Sequence, residues 1–110
     1  MKGDEPTRES PVGPIGTTVL FENEHVRVWS MDVAPGGKKA WHHHPLPYVI
    51  VPVSGGLIEI EAHDGNVVRI EETPGEAIWR EAGEVHELRN RGTERYRNVL
   101  IEIKTLASSC

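Results

Sequence analysis

Short apolar runs, each closed by a turn-forming residue, dominate this chain from Thr18 onward: "TVLFEN", "HVRVWSMDVAPGG", "YVIVPVSGG", "LIEIEAHDGNVVRIEE", "GEAIWREAGEVHELRN" and "RYRNVLIEIK". They are rich in Val and Ile, and Gly, Pro, Asn or Asp interrupts them before a long helix can develop. Such runs form strands, because β-branched side chains fit a pleated surface and the punctuating residues fit turns. "IEIEA" and "VVRIE" alternate as half-buried strands do, and the "HDGN" between them, His63–Asn66, predicts a hairpin with a type I′ turn. Many short strands in a chain of 110 residues predict an all-β sandwich or barrel of jelly-roll type.

That length allows one domain, since neither half could bury a stable core alone. The first sixteen residues mix Pro, Gly and charges of both signs, and read as an extended arm over 1–16. The domain is expected over 17–106, with a short tail over 107–110. The net charge of −5 and pI of 5.6 argue against a nucleic-acid or anionic-membrane partner, both of which need a basic footprint. Cys110 is the only cysteine, so the chain can close no internal disulfide and depends on its core or on a metal. "MKGDEPTRES" holds no apolar stretch of signal-peptide kind and no run reaches membrane-spanning length, so a cytoplasmic protein is the expectation.

Half of the six histidines stand together, in "WHHHPLPY". Residues two apart on a strand share a face, so His42 and His44 project together and His43 points away. A third imidazole from a neighbouring strand would complete a chelate, and His86 in "EAGEVHELRN" is the candidate. Three imidazoles with open positions suit a divalent transition metal such as Fe, Ni, Zn, Cu, Co or Mn. The plainer reading of the run is a set of surface histidines in a loop.

The spacing around these histidines resembles the paired motifs of the cupin superfamily. Gly36 is followed by five residues, His42-His43-His44, three residues, Tyr48, six residues and Gly55, where the first motif has Glu in place of Tyr48. Gly75 is followed by five residues, Glu81-Ala82-Gly83, two residues, His86, three residues and Asn90, where the second motif has Pro in place of Glu81. The resemblance runs from about Val19 to Lys104 and implies a cupin double-stranded β-helix, a jelly-roll barrel. It also implies that His42, His44 and His86 bind one metal ion, and it leaves the glutamate's role unfilled.

Tyr48 is the informative departure. A neutral phenol, with a pKa of about 10, is a poor ligand for a divalent ion. The tyrosine either fills the glutamate's space as a core aromatic or offers its hydroxyl to a metal-bound substrate. An ion held by three neutral imidazoles keeps its full charge and favours a small anionic, chelating substrate such as an enolate or carboxylate. Three-histidine cupins resembling this pattern include β-diketone-cleaving and thiol dioxygenases, which use Fe(II). That resemblance implies an Fe(II) dioxygenase acting on a small diketone or enol. The alternatives are a non-redox isomerase or C–C hydrolase with the metal as Lewis acid, and a non-catalytic module binding a small ligand. No general base is evident beside the histidines in the sequence.

The other polar and aromatic residues read as follows. His43, His25 and His63 are expected at the surface. Arg80 shares parity with His86, but the bend at Gly83 spoils the count and favours an outward side chain. Glu81 and Glu84 could orient an imidazole, or simply be solvated beside the turn. Trp41, Leu46, Ile50 and Trp79 are candidate pocket walls or core. In "YVIVPVS", Tyr48 and Ile50 facing inward leaves Val49, Val51 and Val53 on the other face, which predicts a homodimer that covers them.

Overall fold

The computed structural model describes residues 5–105. Nine strands follow one another: β1 (Thr18–Glu22), β2 (Val26–Val33), β3 (Lys38–His43), β4 (Tyr48–Ser54), β5 (Leu57–Ala62), β6 (Val67–Glu71), β7 (Ile78–Arg80), β8 (Val85–Asn90) and β9 (Tyr96–Ile103). They pair antiparallel into a five-stranded sheet, β1-β2-β9-β4-β7, and a four-stranded sheet, β3-β8-β5-β6. The all-β expectation holds, and among the described residues no helix is long and apolar enough to cross a membrane. Cys110 and the tail over 107–110 lie outside the described residues.

Alternation places the core. On β4, Tyr48, Ile50 and Pro52 are buried, while Val49 and Val51 are half-buried and Val53 is exposed. On β9, Tyr96, Asn98, Leu100 and Glu102 are buried in the same rhythm. These meet Met31 and Val33 of β2, Ile58 of β5 and Leu88 of β8 in one cluster shared by both sheets. Its apolar burial supplies the main favourable term in folding. Gly56, between β4 and β5, runs so close to Glu72 that a Cβ would sit 2.3 Å from the Glu72 carbonyl oxygen, so only glycine fits there.

The β5–β6 hairpin forms where "HDGN" predicts it, but not with a type I′ turn. That turn needs positive φ at two central residues, and among the described residues every positive φ belongs to a glycine. Gly65 takes φ +89° and its N–H donates to Ala62 O at 2.9 Å. The Asp64 carboxylate accepts from Asn66 N–H at 2.9 Å, and that local bond favours a longer loop with the single left-handed residue at Gly65.

Residues 5–16 run beside β3. Gly13 N–H donates to Trp41 O at 3.1 Å, the Arg8 guanidinium lies 5.2 Å from the Trp41 ring centroid and pairs with Glu61, and Ile15 joins the core. Trp41 therefore faces this arm and is not a pocket wall. Trp79 is also no wall: it is 49% exposed and donates its indole N–H to Glu81 at 2.8 Å.

Candidate metal centre

Three local features bring the histidines together. His42 on β3 and His86 on β8 are direct cross-strand partners, so their side chains rise side by side on the inner face. His44 stands one residue beyond the end of β3 and keeps the parity of His42. Its backbone is clipped to the turn before β8: His44 N–H donates to Glu84 O at 2.8 Å, and Gly83 N–H donates to His44 O at 2.7 Å. Gly83, with φ +103°, turns the chain there without strain. His43 is exposed, as its parity requires.

His42, His44 and His86 are buried, and one ring nitrogen of each lies within 4.8 Å of the others. The Nε2 atoms of His44 and His86 are 3.2 Å apart. Two imidazole nitrogens bound to one ion at about 2.1 Å lie roughly 3.0–3.4 Å apart in octahedral or tetrahedral geometry, so this spacing fits a shared ion. His42 Nδ1 donates to Ala40 O at 2.6 Å, which fixes its tautomer and leaves Nε2 as an acceptor. That Nε2 is buried with no partner, as a ligand atom awaiting a cation would be. The residues present therefore fit a metal ion.

Burial lowers the pKa of all three rings. His42 falls to about 4, through burial and then the neighbouring His86. His44 falls to about 2, through burial and then His86 and His42. His86 falls to about 4, through burial and then the positive charge of Arg80. Neutral imidazole is the form that binds metal, so near neutral pH no proton competes for the site. The folded-state values lie below the unfolded one of about 6.5, so the unfolded chain binds more protons as pH falls. The metal-free protein is thus expected to lose stability from about pH 6.5 down to about pH 4, with a falling melting temperature. A flat melting temperature across that window would contradict the burial of neutral rings.

Tyr48 lies against this cluster. Its ring stacks on His44 with centroids 4.0 Å apart and planes 15° apart, and its hydroxyl donates to Glu84 Oε1 at 2.5 Å. Burial, then that hydrogen bond, pushes the phenol's pKa upward, so Tyr48 stays protonated and serves as a donor. Glu84 Oε1 also lies 3.8 Å from His86 Nδ1. A carboxylate thus stands near the cluster at position 84, on the Nδ1 side of His86 and away from its Nε2, held by Tyr48.

Arg80 faces inward, against the outward expectation. It pairs with Tyr48 across the β4–β7 ladder, so the two share the inner face, and the Gly83 bend comes only after β7 has ended. Glu81 faces solvent. Arg80, Glu84 and His86 line a cleft of about 380 Å³ that opens between the β5–β6 hairpin and the turn before β8, with His63 and Asp64 also on its wall. Glu72 is a buried carboxyl that sequence reasoning missed: Tyr96 donates to it at 2.7 Å, and burial raises its pKa. The available signal was its parity with Ile70 at the end of β6.

Two antiparallel sheets closed around a buried three-histidine cluster define a small β-barrel with a candidate metal site. Residues 29–102 match the family model described as Cupin domain, and the chain belongs to the cupin family. It is 32% identical over 87 residues to the β-alanine degradation protein BauB of Pseudomonas aeruginosa, covering 79% of this chain and 90% of that one. A cupin-domain crystal structure from Bordetella pertussis aligns with a TM-score of 0.75 and 35% identity over 80% of this chain and 91% of that one. A double-stranded β-helix protein from Klebsiella pneumoniae aligns over 93% of this chain and 90% of its own, with a TM-score of 0.65 and 22% identity, and shares the fold.

Proposed function

We propose that the protein is a mononuclear metal enzyme that acts on a small O,O-chelating β-dicarbonyl, as an Fe(II) dioxygenase. The observation that carries this reading is the donor set: three buried imidazoles converge, and Tyr48 stands stacked on His44 where a ligating carboxylate would otherwise stand. His42, His44 and His86 would hold a divalent ion, which when bound would supply a Lewis acid for the substrate oxygens and, as Fe(II), redox chemistry with O₂.

The chain's own residues do the rest. The cleft beside His86 admits a small molecule. Glu84 reaches that cleft with Oε2 free of protein hydrogen bonds among the described residues, and accepts the proton released when the β-dicarbonyl enolises. Tyr48 holds Glu84 in place through its hydroxyl and holds the plane of His44 through stacking. The relative BauB is named for the degradation of β-alanine, a small zwitterion with a carboxylate, and so shares with this reading only the small size and the carboxylate.

The presence of Glu84 favours a second reading, a metal-dependent C–C hydrolase or isomerase, because a base in the cleft serves that chemistry as well. Oxygen separates the two. Loaded with Fe(II) under nitrogen, the protein is expected to develop a charge-transfer band when a β-diketone is added, and to consume O₂ in step with diketone loss once air enters. Glu84→Gln is expected to slow the reaction by about 100-fold or more while the metal stays bound. Cleavage without oxygen would select the hydrolase, and neither a band nor oxygen uptake would remove the dioxygenase.

A further inference from the structure

Seven of the eight arginines face a carboxylate: Arg8 meets Glu61, Arg27 meets Glu22 and Glu102, Arg69, Arg89 and Arg91 meet Glu59, and Arg95 and Arg97 meet Asp32. Arg80 is the exception. It makes no ion pair or side-chain hydrogen bond among the described residues, although it is half-buried. It is also the one arginine lining both the cleft and the narrow interior space beside His44, Tyr48 and His86. None of its nitrogens is sealed from solvent, so its planar fork of donors is open to a ligand that enters the cleft, and an anion is the ligand that complements it.

The nearby carboxyl groups do not serve. Glu72 and Glu84 share these spaces, but neither lies within ion-pair distance of Arg80. Glu72 instead accepts from Tyr96 at 2.7 Å, and Glu84 from Tyr48 at 2.5 Å. The ladder partnership of Arg80 with Tyr48 sets the guanidinium on a strand and not on a loose loop, so it is positioned before a ligand arrives.

We infer that Arg80 is a carboxylate anchor, and that the substrate is a β-dicarbonyl carrying a separate carboxylate group. The planar fork of Arg80 takes that carboxylate in two parallel hydrogen bonds, while the dicarbonyl oxygens turn toward the three histidines. Two positive centres, the guanidinium and the metal, then meet two negative groups on one small molecule. The second half of this inference rests on the chelation reading above. The anchor itself stands on Arg80 and the cleft alone.

Two probes differ only in the group at issue: acetylacetone, and 2,4-dioxopentanoate, in which one terminal methyl is a carboxylate. Titrated into the Fe(II) form under nitrogen and followed by the charge-transfer band, the acid is expected to bind about tenfold or more tighter than the neutral diketone. Arg80→Met removes that advantage, weakening the acid about tenfold or more beyond any loss for acetylacetone, and Arg80→Lys retains part of it. Equal affinities in the wild type, or equal losses for both probes in Arg80→Met, would overturn the anchor. In the metal-free wild type, the ¹⁵N signal of Arg80 Nε is expected to move saturably with the acid and not with acetylacetone. If neither probe perturbs the iron spectrum while that signal moves, chelation fails and the anchor stands. If the signal is still, the anchor fails too. Should Arg80→Met not fold, the lysine variant and the wild-type ¹⁵N titration decide the question.

Discussion

Protein carrying His86→Ala is expected to hold well under one metal ion per chain when purified without a tag, where the wild type holds one. His86 and His42 are direct ladder partners and His86 Nε2 faces His44 Nε2 at 3.2 Å, so the substitution takes away one corner of the chelate. Losing a group that merely orients a ligand costs about 10–100-fold in affinity, so losing a ligand costs at least about 100-fold. His42→Ala and His44→Ala are expected to do the same, each by removing one of the three converging ring nitrogens. His43→Ala is the control, since His43 is exposed on the opposite face. Metal content measured by elemental analysis checks all four. Full occupancy in the three buried variants, or loss with His43→Ala alone, would disprove the centre.

Changes at Tyr48 have the next largest expected effect, and two substitutions separate its roles. Tyr48→Phe keeps the stacking on His44 and removes only the hydrogen bond to Glu84. It is expected to cost about 1–2 kcal/mol of stability and to slow turnover by untethering Glu84, with metal content unchanged. Tyr48→Glu removes the ring and sets a second carboxylate beside Glu84 in a buried position. Lost packing and like-charge crowding are expected to destabilise the metal-free protein by roughly 3 kcal/mol. Metal should restore more stability to this variant than to the wild type, because the new carboxylate can ligate, and β-diketone affinity should fall because a chelating position is taken. Thermal melts with and without metal, together with diketone titration, read these effects. Unchanged diketone binding in Tyr48→Glu would make Tyr48 a packing residue alone.

Much of the fold was legible because strands announce themselves locally. The parity that sends His42 and His44 inward and His43 outward follows from pleating, and so does the inward placing of Tyr48 and Ile50. The metal candidates were legible for the same reason, joined to two spacings that resemble the cupin motifs. The turn type at Asp64-Gly65 was not legible, because an Asp side chain bonding to Asn66 N–H competes with a two-residue turn and dipeptide composition does not say which wins. The directions of Arg80 and Trp79 were misjudged because the parity with His86, which puts Arg80 inward and Trp79 outward, was discounted at the bend of Gly83, where the chain leaves one sheet for the other. Counting from Tyr48 through the ladder succeeds, but that ladder is known only once the strands are paired.

The residues by themselves determined an all-β chain, which side chains share a strand face, and a pair of histidines ready to chelate, since these depend on backbone geometry over a few positions. Only the tertiary structure decided that β7 and β8, neighbours in the chain, belong to opposite sheets. That separation seats His86 beside His42 in one sheet and Arg80 opposite Tyr48 in the other, so the cleft and the interior space share Arg80 and His86 as common walls. The physical reason is that strand pairing joins residues far apart in sequence, and the partner each strand takes depends on burying the inner faces of both sheets together.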